Sequence, residues 1–464
     1  MNIDINQLKQ TFSIEEKEPG KYSLQHKQCK IFKLFPFDAN TSSSIIENLT
    51  GVAGGFIRYI QGKEKIEINF DDVQKKIIDD EDITVKDDDK VILLNMIKTL
   101  FFDENKKLLP LNLEFCKYID CCTSEEKIAS YIFDTLSNDN TIEKLVESKI
   151  SRYKYNVLEN YLTDKLPKLK DLKRDTNTYF PMCRHISSVF MDDFSYMLKN
   201  ANVANEYFVD FLELYYFHYT TQICFKLKRF FSKSQEENTP LYFSVDWEKT
   251  GKNRNCYNYG WQYLQPELKN MFSHAVVLEM LNQDKSLSNY DYSLIADDLA
   301  ANPHKDDEYS AMVRSVSDLY LNSISDCEAL NRVERKNGSH FKTEMEIRYL
   351  FDCIKKQFEE SVRKRANDAY TQKFENFCKQ RRLKNRRTMG LMLNLTERDL
   401  LFLTQISIKD EERMKLNKVF EEFEKRGVFL DNSSKASVAE YYEKLNLIEK
   451  KSDSGDAQYV KRIL

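Results

Sequence analysis

Two carboxylates and a lysine follow a short apolar segment near the middle of the chain, where they could serve a metal-dependent nuclease. Asp246 and Glu248 come directly after the stretch LYFSV, and Lys249 follows them. Carboxylates that converge at a strand end can hold a divalent cation for phosphodiester hydrolysis. The Glu-x-Lys spacing expected of such a site is missing, because residue 250 is threonine. A strand end with solvated charges is the simpler interpretation, and the nuclease stays open as an alternative.

Other sequence patterns for catalysis or cofactor binding fall short of what the chemistry needs. Gly251 and Lys252 come nearest to a phosphate-binding loop, but Asp246 stands where that motif needs its first glycine. A group of cysteines has no nearby histidine and lacks the spacing of zinc ligands: Cys116, Cys121 and Cys122. We therefore expect buried thiols, no enzyme active site, no metal and no cofactor.

A dense basic segment is the strongest candidate for contact with nucleic acid. Residues 379–387 place six cations within nine positions: Lys379, Arg381, Arg382, Lys384, Arg386 and Arg387. Lys and Arg side chains neutralise phosphates in nucleic-acid complexes. Cations at a helix end also suit the helix dipole, although six in nine residues exceed what a dipole needs. The segment therefore predicts phosphate contact, with a solvated helix end as the alternative.

The composition restricts where such contact can occur and which fold surrounds it. The chain has 464 residues and a net charge of -4, so nucleic acid would have to bind a local basic patch. Glycine (11) and proline (8) are scarce, which favours helices over barrels and sandwiches because those folds need many tight turns. We expect a mainly α (α+β) protein.

The cysteines, the start of the chain and its hydropathy bear on the compartment. The first 18 residues lack the apolar core of a secretion signal. Ten free cysteines in the reducing cytoplasm are therefore expected. The most apolar stretch, residues 207–231, is interrupted by charged residues such as Asp210 and Glu213, so no contact with a membrane is predicted.

Three regions are expected along the chain: a small mixed α/β domain at 1–90, a multi-helix central domain at 91–390 and a winged-helix domain at 391–464. In the first region, residues 30–37 have the pattern of a strand. Three glycines there indicate a close-packed turn: Gly51, Gly54 and Gly55. In the central region, residues 208–231 predict a buried helix, LYFSV a lone strand, and residues 341–383 one long amphipathic helix with a basic end.

The last 70 or so residues carry the clearest structural pattern. Thr396 can cap a first helix, Gly427 can end a second helix, and residues 431–434 offer caps for a third. Two short strand patterns follow, with Gly455 between them supplying a tight turn. Three helices followed by a hairpin is the order of a winged helix, in which the third helix would recognise DNA and the hairpin would form the wing.

The charge of this winged-helix region favours protein docking over DNA reading. From Asn394 to the end there are 13 Lys and Arg residues against 14 Asp and Glu residues, whereas a DNA-reading domain usually carries positive charge. If the domain does contact DNA, the candidate residues lie on the third helix and the wing: Ser434, Lys435, Lys450, Lys451 and Lys461.

Several segments resemble one known family. The ending LIEKKSDSGDAQYV at residues 447–460 looks like the terminus of the DNA phosphorothioation-dependent restriction protein family DptG, also called DndG. FPFDA at 35–39 and GVAGGFIRYI at 51–60 are similar to the amino-terminal region of that family. LYFSVDWEK at 241–249 and YNYGWQYL at 257–264 are similar to its middle.

The resemblance implies a role in bacterial antiviral defence. Such proteins form a restriction module with a DptF-like ATPase and a DptH-like translocase, and the module attacks DNA that lacks a phosphorothioate mark. The DptG-like member has no catalytic motif, so catalysis is expected on the partner subunits. We therefore expect a non-catalytic subunit that meets double-stranded DNA directly or through the complex. The alternatives are a winged-helix transcription regulator and the nuclease at Asp246 and Glu248.

Overall fold

The computed structural model describes residues 2–18, 21–25, 31–40, 46, 48–66, 68–80, 87–137, 142–150, 156–172, 178–232, 237–284, 289–450 and 458–463. The structure is about 62% helical and 8% strand. The prediction of a mainly α (α+β) protein is therefore confirmed. We refer to the described residues before 391 as the body and to those from 391 onward as the tail.

The amino-terminal part of the body is mixed, as predicted, and pairs a small hairpin with three helices. These elements are α1 (Ile5–Thr11), β1 (Glu15–Glu18), β2 (Lys21–Ser23), α2 (Thr50–Gln61) and α3 (Phe70–Ile78).

The rest of the body is helical apart from two short strands. Its elements are α4 (Asp87–Phe101), α5 (Leu113–Cys116), α6 (Thr123–Leu136), α7 (Ile142–Ile150), α8 (Val157–Lys165), α9 (Arg184–Lys199), α10 (Ala201–Lys228), β3 (Tyr242–Val245), α11 (Asn255–Asn258), α12 (Trp261–Leu268), α13 (Met271–Leu281), α14 (Tyr292–Ala301), α15 (Asp306–Asn322), α16 (Lys342–Glu360), α17 (Lys364–Arg381) and β4 (Leu383–Asn385).

The tail has the three helices and the final strand pair that the sequence predicts, with two further strands between the helices. Its elements are β5 (Leu391–Leu395), α18 (Glu397–Ile408), β6 (Arg413–Lys415), α19 (Leu416–Lys425), β7 (Phe429–Leu430), α20 (Asn432–Lys444), β8 (Ile448–Lys450) and β9 (Gln458–Lys461). β6, β9 and β8 form an antiparallel sheet in that order. The predicted turn at Gly455 lies outside the described residues.

Local signals placed the ends of the tail helices well. Thr396 caps α18 in a capping box with Asp399, and the side chain of Asp431 caps α20 by accepting from the N–H of Ser434. Gly427 follows α19 with a φ of +77°, a left-handed conformation that glycine adopts at low cost.

A four-stranded sheet joins the body to the tail. Its order is β4-β5-β3-β7, and β3 lies parallel to both β5 and β7. Ser244 faces Asn394 across one pairing, and Phe243 faces Leu430 across the other. The prediction of a lone strand at LYFSV is therefore wrong, because β3 has tail strands on both sides.

Most of the apolar interior is one core shared by all three predicted regions. It includes Phe12 and Phe56 from the first region, Phe211 from the second and Phe423 from the third. A smaller core surrounds Ile97 and draws on residues 68–119, 162 and 166. The predicted boundaries at 90 and 390 do not separate these cores. Helix α4 crosses the boundary at 90, and the β4–β5 hairpin crosses the boundary at 390.

The central helix of the body is α10, as the sequence predicts. Twenty-one of its residues are buried, including the aromatic side chains of Phe211, Tyr215 and Phe217. A helix that is apolar on nearly every face has no solvated side and must lie inside the protein. The polar side chains buried with it, Asp210, Glu213 and His218, therefore need partners within the fold.

The predicted strand at residues 30–37 is wrong: residues 31–37 form no strand, and Lys30 lies outside the described residues. The carboxylate of Glu279 on α13 accepts hydrogen bonds from the backbone N–H groups of Ile31 and Phe32. These N–H groups are satisfied by a side chain and not by a neighbouring strand. The apolar alternation still buries Phe32 and Leu34.

The glycine cluster packs closely, as predicted, but it does so within a helix and not in a turn. All three glycines lie in α2. A Cβ at Gly54 would lie 2.6 Å from the carbonyl oxygen of Ile119, and one at Gly55 would lie 2.8 Å from Cβ of Ala129. The absence of side chains therefore lets α2 approach α6 and the segment before it.

The predicted long helix at 341–383 is two helices, α16 and α17. Ser361 takes an extended conformation (φ -120°, ψ -177°), and its hydroxyl accepts a hydrogen bond from the N–H of Arg363. Val362 in the turn is 79% exposed, although it continues the apolar periodicity. The break lets α17 pack on α10 and α13, where Phe374 stacks on Phe217 and Tyr370 stacks on Phe272.

Candidate functional site

The two carboxylates of the alternative nuclease hypothesis and several of the residues predicted for DNA contact meet at the end of β3. Asp246 and Glu248 follow this strand, and cations from the basic segment and groups from α20 reach them. We call this group the strand-end cluster, and its members are Asp246, Glu248, Arg254, Lys384, Arg386, Asn394, Asp431 and Ser434.

Asp246 is held by the two strands beside it. Its N–H donates to the carbonyl of Leu395 (3.1 Å). Its Oδ1 accepts from Nζ of Lys384 (2.8 Å) and from Nδ2 of Asn394 (2.7 Å). A metal ion at Oδ1 would have to displace both donors.

Arg386 binds the backbone at the end of β3. Its Nη2 donates to the carbonyl of Val245 (2.6 Å) and to Oδ1 of Asn394 (2.8 Å). Its Nη1 donates to the carbonyls of Asp246 and Glu248 (both 3.2 Å). The guanidinium therefore satisfies the backbone carbonyls at the end of β3. It is not available to bind a ligand.

Glu248 connects the body to the start of α20. Its side chain is 2% exposed, and its Oε1 accepts from the hydroxyl of Ser434 (2.9 Å). Its Oε2 lies 2.9 Å from Arg254, whose guanidinium also makes two hydrogen bonds to the carboxylate of Asp431. Beside this pair, the ring of Trp247 lies 4.5 Å from that of Tyr441. One face of α20 is thus fixed against the body.

The strand-end cluster is electrically balanced. Its three carboxylates face three cations, since Lys384 pairs with Asp246, and Arg254 pairs with both Glu248 and Asp431. Burial disfavours the charged form of Asp431, but the hydrogen bonds and charge of Arg254, together with the backbone N–H groups of Ser434 and Cys256, outweigh it and lower the pKa of this carboxyl. Paired, hydrogen-bonded charges of this kind hold two parts of a protein in one arrangement.

The remaining cations of the basic segment divide into paired and exposed groups. Arg381 donates to the buried carboxylate of Glu213 (2.7 Å), and Arg382 binds Asp399 (2.7 Å) while only 4% exposed. Lys379 and Arg387 are exposed. Lys379 is 3.9 Å from Glu375, and Arg387 has no side-chain partner within the described residues.

These positions correct the prediction for the basic segment. Arg382 is inaccessible to a phosphate because it is buried, and Arg386 is occupied by backbone carbonyls. The six cations mainly fasten the end of α17 and β4 to α10, α18 and the end of β3. Lys379, Arg381 and Arg387 are exposed, but Arg381 is held by Glu213, so the prediction stands for Lys379 and Arg387.

The predicted DNA-contacting residues of the tail are also dispersed. Ser434 is fully buried, so its prediction is wrong for the same reason. Lys435 pairs with Glu424 (3.2 Å). Lys461 is exposed, with its Nζ 3.3 Å from the carbonyl of Asn446. The backbone of Lys450 ends β8, its side chain is not described, and Lys451 lies outside the described residues.

A second set of contacts, which the sequence did not indicate, locks α19 to α9. Asp193 is fully buried and accepts two hydrogen bonds from Arg426 (2.6 and 2.7 Å) and one from Tyr215 (2.6 Å). Nζ of Lys409 lies 2.9 Å from the same carboxylate. The buried Arg426 and the half-buried Lys409 of the tail therefore share one carboxylate of the body. Residues 186–198 contain few charged residues. This scarcity is the one sequence feature that could have identified Asp193 as a buried ion-pair residue.

His218 is a hydrogen-bonded core histidine, as predicted, and it also lies at the junction of body and tail. Its Nε2 is 2.9 Å from Oδ1 of Asn238, and the amide of Asn238 donates to the carbonyls of Glu424 and Lys425. A Cβ at Gly427 would lie only 2.3 Å from Cδ2 of His218. Burial lowers the pKa of His218 to about 3.

We expect stability to fall as the pH drops from 6.5 to 5. Burial lowers the pKa values of His218 and His274 to about 3, so the unfolded chain binds protons in this range and the folded chain does not. Each histidine should remove about 1.4 kcal/mol of unfolding free energy per pH unit. Urea unfolding at several pH values measures this slope.

The variant His218→Gln should lose about half of that slope, whatever its stability at pH 7. The control His304→Gln changes an exposed histidine and should keep the full slope. A pH dependence that is identical in wild type and His218→Gln would show that His218 does not resist protonation in the fold.

The outer surface of α4 is apolar. Ile92, Met96 and Leu100 recur at every fourth position and are 58%, 45% and 48% exposed, and Val91 beside them is 56% exposed. The inner side of α4 buries Ile97 and Phe101 in the smaller core. Contiguous apolar side chains in water mark surfaces that bind a partner. The sequence analysis predicted this helix but missed its outer face, although its run VILLNMI leaves too few polar residues for a solvated side.

The chain matches no protein-family model and no curated protein. The resemblance to the DptG family therefore stays a prediction. Among the described residues, no helix combines the length and the apolar character needed to cross a lipid bilayer. In the same part of the chain, no three His, Cys, Asp or Glu side chains are grouped so that they could hold a metal ion.

Proposed function

We propose that this chain is a non-catalytic subunit of a bacterial DNA restriction complex that acts on DNA lacking a phosphorothioate mark. In this role it assembles with a DptF-like ATPase and a DptH-like translocase in the cytoplasm. The tail is a winged-helix module that serves as a fixed structural part of the subunit. The observation that carries the proposal is the exposed apolar face of α4, because a subunit that works by assembly needs such a surface.

The chemistry of this face indicates what its partner presents. Ile92, Met96 and Leu100 form a stripe along one side of a four-turn helix. Exposed carboxylates stand near the start of α4, at Asp79 and Asp89. An amphipathic helix of a partner subunit, with apolar residues on one face and Lys or Arg beside it, complements both features.

The electrostatics of the tail support docking over sequence-specific DNA reading. The start of α20 is occupied by Arg254 and Glu248. Its exposed face carries two carboxylates and one cation, at Glu440, Glu443 and Lys444. A helix that enters the major groove needs positive charge to offset the phosphates. Both facts favour a module that contributes to assembly.

Co-expression with the two proposed partners tests the assembly. We expect this chain to co-purify with the ATPase-like and translocase-like proteins in a fixed ratio that survives gel filtration. If it elutes alone when all three proteins are soluble, the proposal fails.

Any direct DNA contact by the basic segment should depend on Lys379 and Arg387. Replacing both with alanine should reduce the slope of log affinity against log salt by about 2, because each phosphate contact contributes roughly 0.9. Fluorescence anisotropy with duplex DNA at several salt concentrations gives this slope.

The matched control removes the exposed cations Lys418 and Lys425 from α19 and should leave the slope unchanged. Equal slopes for wild type and the Lys379→Ala/Arg387→Ala variant would exclude the segment as a phosphate contact. Arg382→Ala and Arg386→Ala are unsuitable for this test because they would disturb the fold.

A further inference from the structure

A cavity of about 170 Å³ lies between residues 36–38, 40, 46 and 49, the start of α6 and one face of α17. Its apolar walls are aromatic and come from Phe37, Tyr216 and Phe377. The rings of Tyr216 and Phe377 meet edge to face at 4.9 Å, so these walls are firmly packed. The cavity is separate from the strand-end cluster and from the face of α4.

One face of α17 supplies much of the polar lining, and Asp38, Asn40 and Ser124 supply the rest. Ala369, Gln372, Lys373 and Asn376 follow one another at helical spacing and all border the cavity. The small side chain of Ala369 leaves room between the larger ones. Four polar groups at the cavity have no hydrogen-bond or ion-pair partner within the described residues. They are the carboxamides of Gln372 and Asn376, the ammonium of Lys373 and the hydroxyl of Tyr216. Gln372 is exposed and Lys373 and Asn376 are half-buried, so these polar groups are available to a ligand.

The charges around the cavity favour an anionic ligand. Asp38 lines the wall, but its carboxylate pairs with Lys127 (Oδ2–Nζ 2.7 Å) and accepts from the N–H of Asn40. The charges of Asp38 and Lys127 neutralise each other. Lys373 therefore remains as the uncompensated charge among the lining residues. A ligand that carries a phosphate would neutralise it.

The size and the polar groups narrow the class of ligand. A volume of 170 Å³ equals about six waters at ~30 Å³ each, which holds a single base and leaves an attached ribose and phosphate to lie at the mouth of the cavity. A carboxamide presents a donor beside an acceptor and reads the edge of a purine with two hydrogen bonds. Aromatic walls favour a planar base.

We propose that this cavity binds a purine mononucleotide, with the base between the aromatic walls and the carboxamides of Gln372 and Asn376, and the phosphate near Lys373. The site is independent of the proposed role in restriction, since it requires no partner subunit. It assigns the chain a small-molecule ligand in addition to a protein assembly.

Calorimetric titration of the full chain with AMP, GMP, CMP, UMP and adenosine tests this site. We expect AMP or GMP to bind and the pyrimidine nucleotides to bind at least tenfold more weakly. Gln372→Leu and Asn376→Leu should each weaken AMP and adenosine about tenfold or more. Lys373→Met should weaken AMP but leave adenosine unchanged.

Lys379→Met is the matched control for Lys373→Met, because it removes an exposed cation from the same helix outside the cavity. It should leave all affinities unchanged. Gln372 is exposed, so its variant keeps the test valid if Asn376→Leu fails to fold. Absence of binding by both purine nucleotides at millimolar concentration, tighter binding of a pyrimidine nucleotide, or AMP binding that survives Gln372→Leu would each overturn the proposal.

Discussion

Asp193→Ala should lower the free energy of unfolding by about 3–5 kcal/mol, the loss expected when one partner of a buried ion pair is removed. The variant removes the buried carboxylate that accepts two hydrogen bonds from Arg426, which is 2% exposed and keeps its ion pair with Glu422. It also removes one of the carboxylates that hold Lys409. Urea unfolding followed by circular dichroism measures the loss.

The neighbouring residue provides a matched control. Asp192 also binds Lys409, but its side chain is 73% exposed, and exposed pairs contribute at most about 1 kcal/mol. Asp192→Ala should therefore stay close to wild type. Asp193→Asn should still be strongly destabilised, because its amide keeps the volume and loses the charge. If Asp193→Ala lost no more stability than Asp192→Ala, the junction between α9 and α19 would not depend on this carboxylate.

The destabilisation by Asp193→Ala bears on function, because it measures how strongly the tail is attached to the body. Asp193 with Arg426 secures one side of the tail, and Arg254 with Asp431 secures another. A DNA-reading domain on a flexible linker would need neither contact. Strong destabilisation by Asp193→Ala would support a tail that is a structural part of the subunit.

Ile92→Asp combined with Met96→Asp should abolish co-purification with the proposed partners, with affinity reduced a hundredfold or more. Central apolar contacts of an interface often contribute 2 kcal/mol or more each. A carboxylate in such a contact would also be buried without a partner. The two side chains are 58% and 45% exposed, so the isolated chain should fold normally.

Val362→Asp is the control for this pair. Val362 is 79% exposed in the turn between α16 and α17, far along the chain from α4, and its replacement should leave co-purification intact. Co-purification of the double variant at the wild-type ratio would exclude α4 as the partner surface. A chain that fails to assemble even as wild type would instead refute the proposed complex.

The basic segment illustrates how far a count of charges can mislead. Six cations in nine residues suggest a phosphate-binding surface when the sequence is read alone. In the fold, Arg381 pairs with Glu213, Arg382 with Asp399 and Lys384 with Asp246. The carboxylates that neutralise them lie far away in the sequence, so no local window could contain both partners.

Patterns that depend on near neighbours were readable from the sequence. The sequence of α10 is apolar on nearly every face, which predicted a buried central helix. No side of this helix is polar enough to face water. The order of the three tail helices followed from caps and stops within a few residues of each end, at Thr396, Gly427 and Asp431. Capping and amphipathic periodicity act over one or two turns, so a single segment carries the whole signal.

Contacts between distant segments were decided only by the tertiary structure. β3 acquired tail strands on both sides, and Asp193 met Arg426 across 233 positions of sequence. Ser361 interrupted an unbroken periodicity so that α17 could pack on α10, and the glycines predicted for a turn became a helix face against Ile119 and Ala129. Hydrogen bonds, ion pairs and packing of this kind depend on which surfaces meet in space, and the free energy of those meetings outweighs local preference.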